Sequence, residues 1–162
     1  MEYLPFSWEE AETANASLTE KIKSSGFNPD ILIAISRGGL IPSRLLSDSL
    51  NVPVLYTIRI SFYSSVGVRM EKPQVTQPLS VDIKGKKILI VDDISDSGRS
   101  LELAEQYITP LNPAEIRTAT IHFKPGSIFK PDFFVSTTES WVIYPWERAE
   151  FTRETGKRVE EL

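Results

Sequence analysis

The chain reads as an α/β protein: a central, mostly parallel twisted sheet flanked by helices. Three observations predict this. Two apolar runs, Ile31-Leu32-Ile33-Ala34-Ile35 and Ile88-Leu89-Ile90-Val91, show no polar alternation, which suits strands buried on both faces of a parallel sheet. Each run ends in a polar, glycine-bearing turn that leads into apolar residues at helical spacing. The chain has 162 residues, 41% of them apolar, which matches one domain with a real core.

The elements follow in order. Ser7 with Glu10 three residues on forms a capping-box pattern, so a helix is expected from Trp8 to about Ser24, stopped by Gly26. Ile31–Ile35 is the first buried strand, Ser36-Arg37-Gly38-Gly39 its closing turn, and Leu40 to Leu50 the helix after it. Pro53 to Ile60 is rich in strand formers. Residues 61–77 mix glycine, proline and serine with little periodicity and predict a flexible loop, long enough to serve as a lid. Pro78 to Val81 is expected to return as a strand, and Asp82 to Lys86 to turn. Ile88–Val91 is the second buried strand. Leu101, Ala104, Tyr107 and Ile108 then mark a helix that ends before Asn112-Pro113. Ile116 to His122 is another strand. The lone histidine, His122, is expected to be a packed or half-exposed residue rather than a catalyst. The alternating charges of Trp146 to Leu162 suit a solvated terminal helix or a frayed tail.

The richest chemistry lies between Val91 and Leu101. Gly98 lets the backbone approach a ligand, and the N–H groups from Ser97 to Ser100 would open a helix, a natural anion site. The hydroxyls of Ser97 and Ser100 add donors and Arg99 adds charge. Asp92 and Asp93 suit sugar hydroxyls, or a magnesium ion held through them. A phosphate grip beside a diol grip describes a ribose 5-phosphate. In the first unit, Gly38 and Gly39 free backbone N–H groups and Arg37 can fork onto an oxyanion. Composition excludes other classes. The net charge is −4 with no basic stripe, which disfavours nucleic acid. Without cysteine there is no disulfide, thiol nucleophile or thiolate metal site. The opening Met1-Glu2-Tyr3-Leu4-Pro5 is unlike a signal peptide and no apolar run reaches membrane-spanning length, so a cytoplasmic location away from membranes is expected.

Asp92-Asp93-Ile94-Ser95-Asp96-Ser97-Gly98-Arg99-Ser100 resembles the phosphoribosyl-pyrophosphate (PRPP) signature of type I phosphoribosyltransferases, with serines where the usual pattern has threonines. Ser36-Arg37-Gly38-Gly39-Leu40 is similar to the pyrophosphate loop of the xanthine–guanine branch, and Trp141-Val142-Ile143-Tyr144-Pro145-Trp146-Glu147 to its base-binding stretch. The resemblance runs from Ser36 to Glu147, one domain over 1–162. It implies the type I fold with a small C-terminal hood over about 123–150, and Mg2+-dependent transfer of ribose 5-phosphate from PRPP to N9 of hypoxanthine, guanine or xanthine. The products would be IMP, GMP or XMP with pyrophosphate, in purine salvage.

The resemblance also assigns roles. Asp96 through Ser100 hold the 5-phosphate, and Asp96 takes a proton from N7. One of Asp92 and Asp93 touches sugar and the other steadies metal or backbone. Ser36, Arg37, Gly38 and Gly39 hold pyrophosphate, in a loop where the family often has a cis peptide. Lys124 donates to O6, Trp141 stacks on the base, the carbonyl of Val142 faces position 2, and Glu147 sits near magnesium–pyrophosphate. Tyr63 matches the tyrosine of a Ser-Tyr pair in the closing loop, with Phe62 in place of the serine. Relatives are dimers or tetramers, so a homo-oligomer is expected. The alternatives are a non-catalytic sensor of PRPP or purine on the same fold, and a phosphoribosyltransferase for another base.

Overall fold

The computed structural model describes residues 2–63 and 72–162. The two apolar runs are indeed the spine. β2 (Ile31–Ser36) and β5 (Lys87–Val91) lie side by side and parallel, Ile31 opposite Ile88 and Ala34 opposite Val91. β3 (Leu55–Tyr63) pairs parallel to β2 on its other side, and β7 (Glu115–Phe123) pairs parallel to β5. β8 (Phe133–Thr137) adds parallel to the far edge of β7. Among the described residues the one antiparallel strand is β4 (Lys72–Gln77), at the opposite edge beside β3.

Alternation along the buried strands divides the core. Ile31, Ile33, Ile35, Ile88 and Ile90 face Leu101, Ala104 and Ile108 of α3 (Arg99–Ile108). Leu32, Leu89 and Val91 face the other way, onto Leu18 and Ile22 of α1 (Trp8–Ser24) and Leu46 of α2 (Leu40–Ser49). Both faces of β2 and β5 are therefore covered, which is why the sequence shows unbroken apolar runs there. Each of these isoleucine, leucine and valine side chains contributes roughly 1.5–3 kcal/mol by leaving water. The capping box of α1 is present as expected: Glu10 N donates to Ser7 Oγ at 3.1 Å and Ser7 N to the Glu10 carboxylate at 2.7 Å.

Register explains where the site falls. β5 pairs with β7 as Val91 with Ala119, and the two-residue β6 (Ile94–Ser95) pairs as Ile94 with His122. The offset is the same, so β6 prolongs the line of β5 after a two-residue interruption. That interruption is Asp92-Asp93.

Three expectations change. Part of the span expected as a loop, 61–77, is strand: β3 continues to Tyr63 and Lys72–Gln77 pairs with it, while 64–71 lies outside the described residues. An edge strand tolerates Pro73 and needs no apolar alternation, which is what hid it. Pro78 to Val81 forms no strand; Leu79 N instead donates to the Tyr107 hydroxyl at 2.9 Å. The C-terminal segment is helical but not merely solvated. α4 (Arg148–Thr155) buries Phe151, whose ring meets Tyr3 edge-on at 5.2 Å. Tyr3 belongs to β1 (Tyr3–Pro5), which pairs parallel with β9 (Trp141–Ile143) in a separate two-stranded sheet. This second sheet thus joins residues near both ends of the chain.

Candidate active site

The site is a row of three cavities at the carboxyl ends of β2 and β5, where open α/β sheets bind ligands. The first, about 220 Å3, is lined by Phe62, Ser95, Asp96, Ser97, Gly98 and Ser100 among others. The second, about 240 Å3, shares Ile94 and Asp96 with the first and adds Asp93, Lys124, Trp141, Val142 and Glu147. The third, about 360 Å3, shares Glu147 with the second and adds Arg37, Gly38, Trp146 and Glu150. The three expected subsites adjoin in this order.

The first cavity is shaped by Gly98, the N-cap of α3, at φ +83°. A Cβ there would run into the Ser127 hydroxyl and lie 2.6 Å from the backbone nitrogen of Phe129, so both conformation and crowding require glycine. Gly98 has no side chain to cap α3, and the Ser97 hydroxyl accepts from Arg99 N only at a long 3.4 Å. The N-terminal turn of α3, with the Ser97 and Ser100 side chains, borders the cavity as an anion site would. The outer wall of this loop is tied down: Ile128 N donates to Ser97 O at 3.1 Å, and the Ser95 hydroxyl donates to Phe129 O at 2.7 Å. Phe62 stands on the cavity wall, an apolar neighbour of this loop.

The third cavity is shaped differently. Gly39 has an ordinary φ of −75°, yet a Cβ on it would overlap the carbonyl oxygen of Val91 in the central strand. Gly38 lies so close to the acid pair that its Cβ would sit 2.7 Å from both carboxylate oxygens of Asp93. The Ser36–Arg37 peptide is cis. The short turn therefore presses its backbone against Asp93, and Arg37 projects from it with its guanidinium on Glu150.

Between them lies the acid pair. Asp93 is buried, and its backbone carbonyl accepts from Ile121 N at 2.9 Å, His122 N at 3.1 Å and the Tyr144 hydroxyl at 3.0 Å. The Tyr144 oxygen also lies 2.7 Å from His122 Nδ1. A hydroxyl has one proton and gives it to the carbonyl, so His122 must carry its proton on Nδ1. His122 is buried, and burial takes its pKa down to about 4, against a smaller upward pull from Glu10. It is a packed, neutral residue, as the sequence suggested, but it also anchors the root of the acid loop.

The carboxylates are poised. Burial, then the charge of Asp93, pushes Asp92 well above the usual carboxylate range. Burial also raises Asp93. The indole N–H of Trp146 favours the charged form of Asp93 but stops short of hydrogen-bond geometry, and among the described residues that buried N–H has no hydrogen-bond partner. Burial and then the Asp93 charge lift Glu147 to about 7. One Glu147 oxygen accepts from Tyr144 N at 3.2 Å, closing the turn that positions Trp146. Among the described residues, no three His, Cys, Asp or Glu side chains converge as a metal cage. The donors are carboxylate oxygens, which suit Mg2+ held by one or two carboxylates together with phosphate oxygens.

Lys124 and Asp96 meet across the second cavity, Nζ to Oδ1 at 3.1 Å, with Trp141 on the same cavity wall and 38% exposed. Of the expected site residues, Arg37, Gly38, Asp93, Asp96, Ser97, Gly98, Ser100, Lys124, Trp141, Val142 and Glu147 line these three cavities. Ser36, Gly39, Asp92 and Arg99 are their neighbours in the chain and do not line them, and the Tyr63 side chain lies outside the described residues. Sequence reasoning missed the role of Tyr144, the contact that ties His122 to Tyr144, and the role of Glu150. Their partners are 51, 22 and 113 residues away in the chain, and no local pattern signals them.

Fold and cleft together define an α/β enzyme whose ligand site is made from loops at strand ends. The chain belongs to the phosphoribosyl transferase domain family, which matches residues 6–150. It is similar to a xanthine–guanine phosphoribosyltransferase of Ruegeria sp., at 30% identity over 155 residues, 88% of this chain and 84% of the relative. Its structure is similar to a purine phosphoribosyltransferase from Pyrococcus horikoshii, with a TM-score of 0.81 and 35% identity over 90% of this chain and 94% of that one. A hypothetical protein from Neisseria gonorrhoeae with bound ppGpp superposes with a TM-score of 0.82 at 26% identity, over 96% and 98% of the two chains. Among the described residues no helix is long and apolar enough to cross a membrane.

Proposed function

We propose that the protein transfers ribose 5-phosphate from PRPP to N9 of a 6-oxopurine, forming the nucleoside monophosphate and pyrophosphate, as a purine-salvage enzyme of the cytoplasm. The observation that carries this reading is the Lys124–Asp96 pair, 3.1 Å apart in the middle cavity beside Trp141. A 6-oxopurine presents two adjacent acceptors, O6 and N7, on one edge. A cationic donor next to a carboxylate matches that edge once N7 carries a proton: Lys124 donates to O6 and Asp96 accepts from N7. Adenine would bring an amino donor against the ammonium, leaving two donors opposed, so the pair selects against it. The relatives from Ruegeria and Pyrococcus are named for purine bases, and ppGpp in the Neisseria neighbour is a guanosine nucleotide. The relatives are named as enzymes, which disfavours the sensing alternative.

The residues act mainly by position and charge. The amides and hydroxyls from Asp96 to Ser100 hold the 5-phosphate. Asp92 and Asp93 hold the ribose diol, their spacing fixed by the three donors on the Asp93 carbonyl. Trp141 stacks on the base, the Val142 carbonyl faces position 2, and the turn Ser36–Gly39 receives pyrophosphate. Removal of the N7 proton by Asp96 returns electron density to the imidazole ring and makes N9 the better nucleophile. Asp93 and Glu147, with Asp92, would hold Mg2+, which when bound neutralises the leaving pyrophosphate. A homo-oligomer is part of the same reading.

Initial rates with hypoxanthine, guanine, xanthine and adenine at saturating PRPP and Mg2+ test it. At least one 6-oxopurine is expected to react with release of one pyrophosphate per nucleotide, and adenine to react at least tenfold more slowly. Adenine turnover matching the 6-oxopurines would contradict the assignment of Lys124.

A further inference from the structure

Arg37 is the cation of the Ser36–Gly39 turn, and it is already engaged. Its Nη2 lies 2.7 Å from both carboxylate oxygens of Glu150, in the first turn of α4. Both residues line the 360 Å3 cavity. Carboxylate and phosphate oxygens satisfy a guanidinium in the same way, so Glu150 sits where a phosphate oxygen would. We propose that Glu150 is a positioning residue that acts as an internal stand-in for pyrophosphate: it holds Arg37 over the cavity in the unliganded enzyme and yields when a diphosphate enters. The proposal rests on the reading of Ser36–Gly39 as the pyrophosphate loop.

Two features let this contact open easily. The Arg37 and Glu150 side chains are 70% and 36% exposed, and ion pairs that open to water are weak. The helix that carries Glu150 is held by its neighbour Phe151, buried against Tyr3, so Glu150 can release Arg37 by side-chain rotation while α4 stays docked. The Lys124–Asp96 pair repeats the arrangement in the middle cavity: a ligand-seeking cation kept oriented by an acid of the protein itself.

Calorimetric titration of Mg2+-pyrophosphate into the full-length wild type, Glu150→Gln, Arg37→Ala and the double variant tests the idea, with GMP titrated in parallel. Glu150→Gln is expected to bind pyrophosphate about two- to fivefold more tightly, the size of an exposed ion pair. It should lower KM for PRPP without raising kcat, and leave GMP affinity unchanged, which also shows that the variant is folded. In the Arg37→Ala background the gain should vanish. No gain in Glu150→Gln, or an equal gain without Arg37, would overturn the proposal. Unaltered pyrophosphate binding in Arg37→Ala would instead overturn the loop reading beneath it.

Discussion

The two loops that follow β2 and β5 begin from neighbouring strands of the same sheet and solve the same problem by different means. Both need glycine. Gly39 needs it because a central-strand carbonyl leaves no room for a side chain, although its φ is ordinary. Gly98 needs it because the chain turns through φ +83° to open α3. The first loop is four residues long and borrows rigidity from the core. The second is longer and is fastened at its root by Tyr144 and His122 and along its outer wall by Ser95, Ser127 and Phe129. A tight turn can offer backbone groups and one arginine, enough for a leaving group. A fastened loop can offer hydroxyls, amides and an acid at fixed positions, as a substrate that must be aimed requires.

Substitutions should separate the two. The largest effect is expected for Gly39→Ala, which forces a methyl group into the Val91 carbonyl. It should cost about 3 kcal/mol or more of stability in urea unfolding, if the protein folds at all. Gly98→Ala has its closest backbone contact at 2.6 Å, on the Phe129 nitrogen of a loop rather than on a central-strand carbonyl, and adds the strain of φ +83°; it should be destabilising, though less so than Gly39→Ala, and should weaken GMP or IMP binding. Equal losses in both variants would erase the distinction.

Next in size, Asp96→Asn should lower kcat by about 100-fold or more, the usual contribution of a proton acceptor, with KM for PRPP within a few-fold of wild type. Ser97→Ala and Ser100→Ala should each raise KM for PRPP by roughly 10- to 100-fold, as loss of a hydrogen bond to a charged group does. Unlike Arg37→Ala, they should weaken nucleoside monophosphate binding and spare pyrophosphate. A serine variant that impaired pyrophosphate alone would reverse the assignment of the loops.

The smallest effect distinguishes the loops by pH. Folded His122 titrates at about 4 against an ordinary value of 6.5. As pH falls through 6.5 the unfolded chain takes up a proton that the folded chain refuses. Stability is therefore lost between about pH 6.5 and 4, amounting to about 2 kcal/mol at pH 5. Glu147 has the opposite sign. Its folded value of about 7 lies above the ordinary 4.5, so it costs stability as pH rises from 4.5 to 7. Replacing His122 with Gln should flatten the acid side of the urea-stability profile, and leaving that side unchanged would remove His122 as its origin.

The sheet and the loops were legible because their causes are local. Ile31–Ile35 and Ile88–Val91 announce burial on both faces, Ser7 and Glu10 announce a cap, and Gly98 announces the turn that opens α3. What escaped was long-range. β1 has three residues and exists because β9 lies beside it. β4 is an edge strand containing proline, held by β3 rather than by its own pattern. Tyr144 sits within the stretch that resembles a base-binding segment, and only the fold sets its hydroxyl on the Asp93 carbonyl. Glu150 lay in a stretch of alternating charge where nothing marks one glutamate from its neighbours, and the packing of Phe151 singles it out.

A crystal structure with bound GMP or IMP tests the central claim most directly. The account predicts the 5′-phosphate on the amides and hydroxyls of Ser97 to Ser100, the diol on Asp92 and Asp93, and the base beside Trp141 with O6 on Lys124. A nucleotide whose phosphate lay on Ser36–Gly39, or outside the cleft altogether, would contradict it.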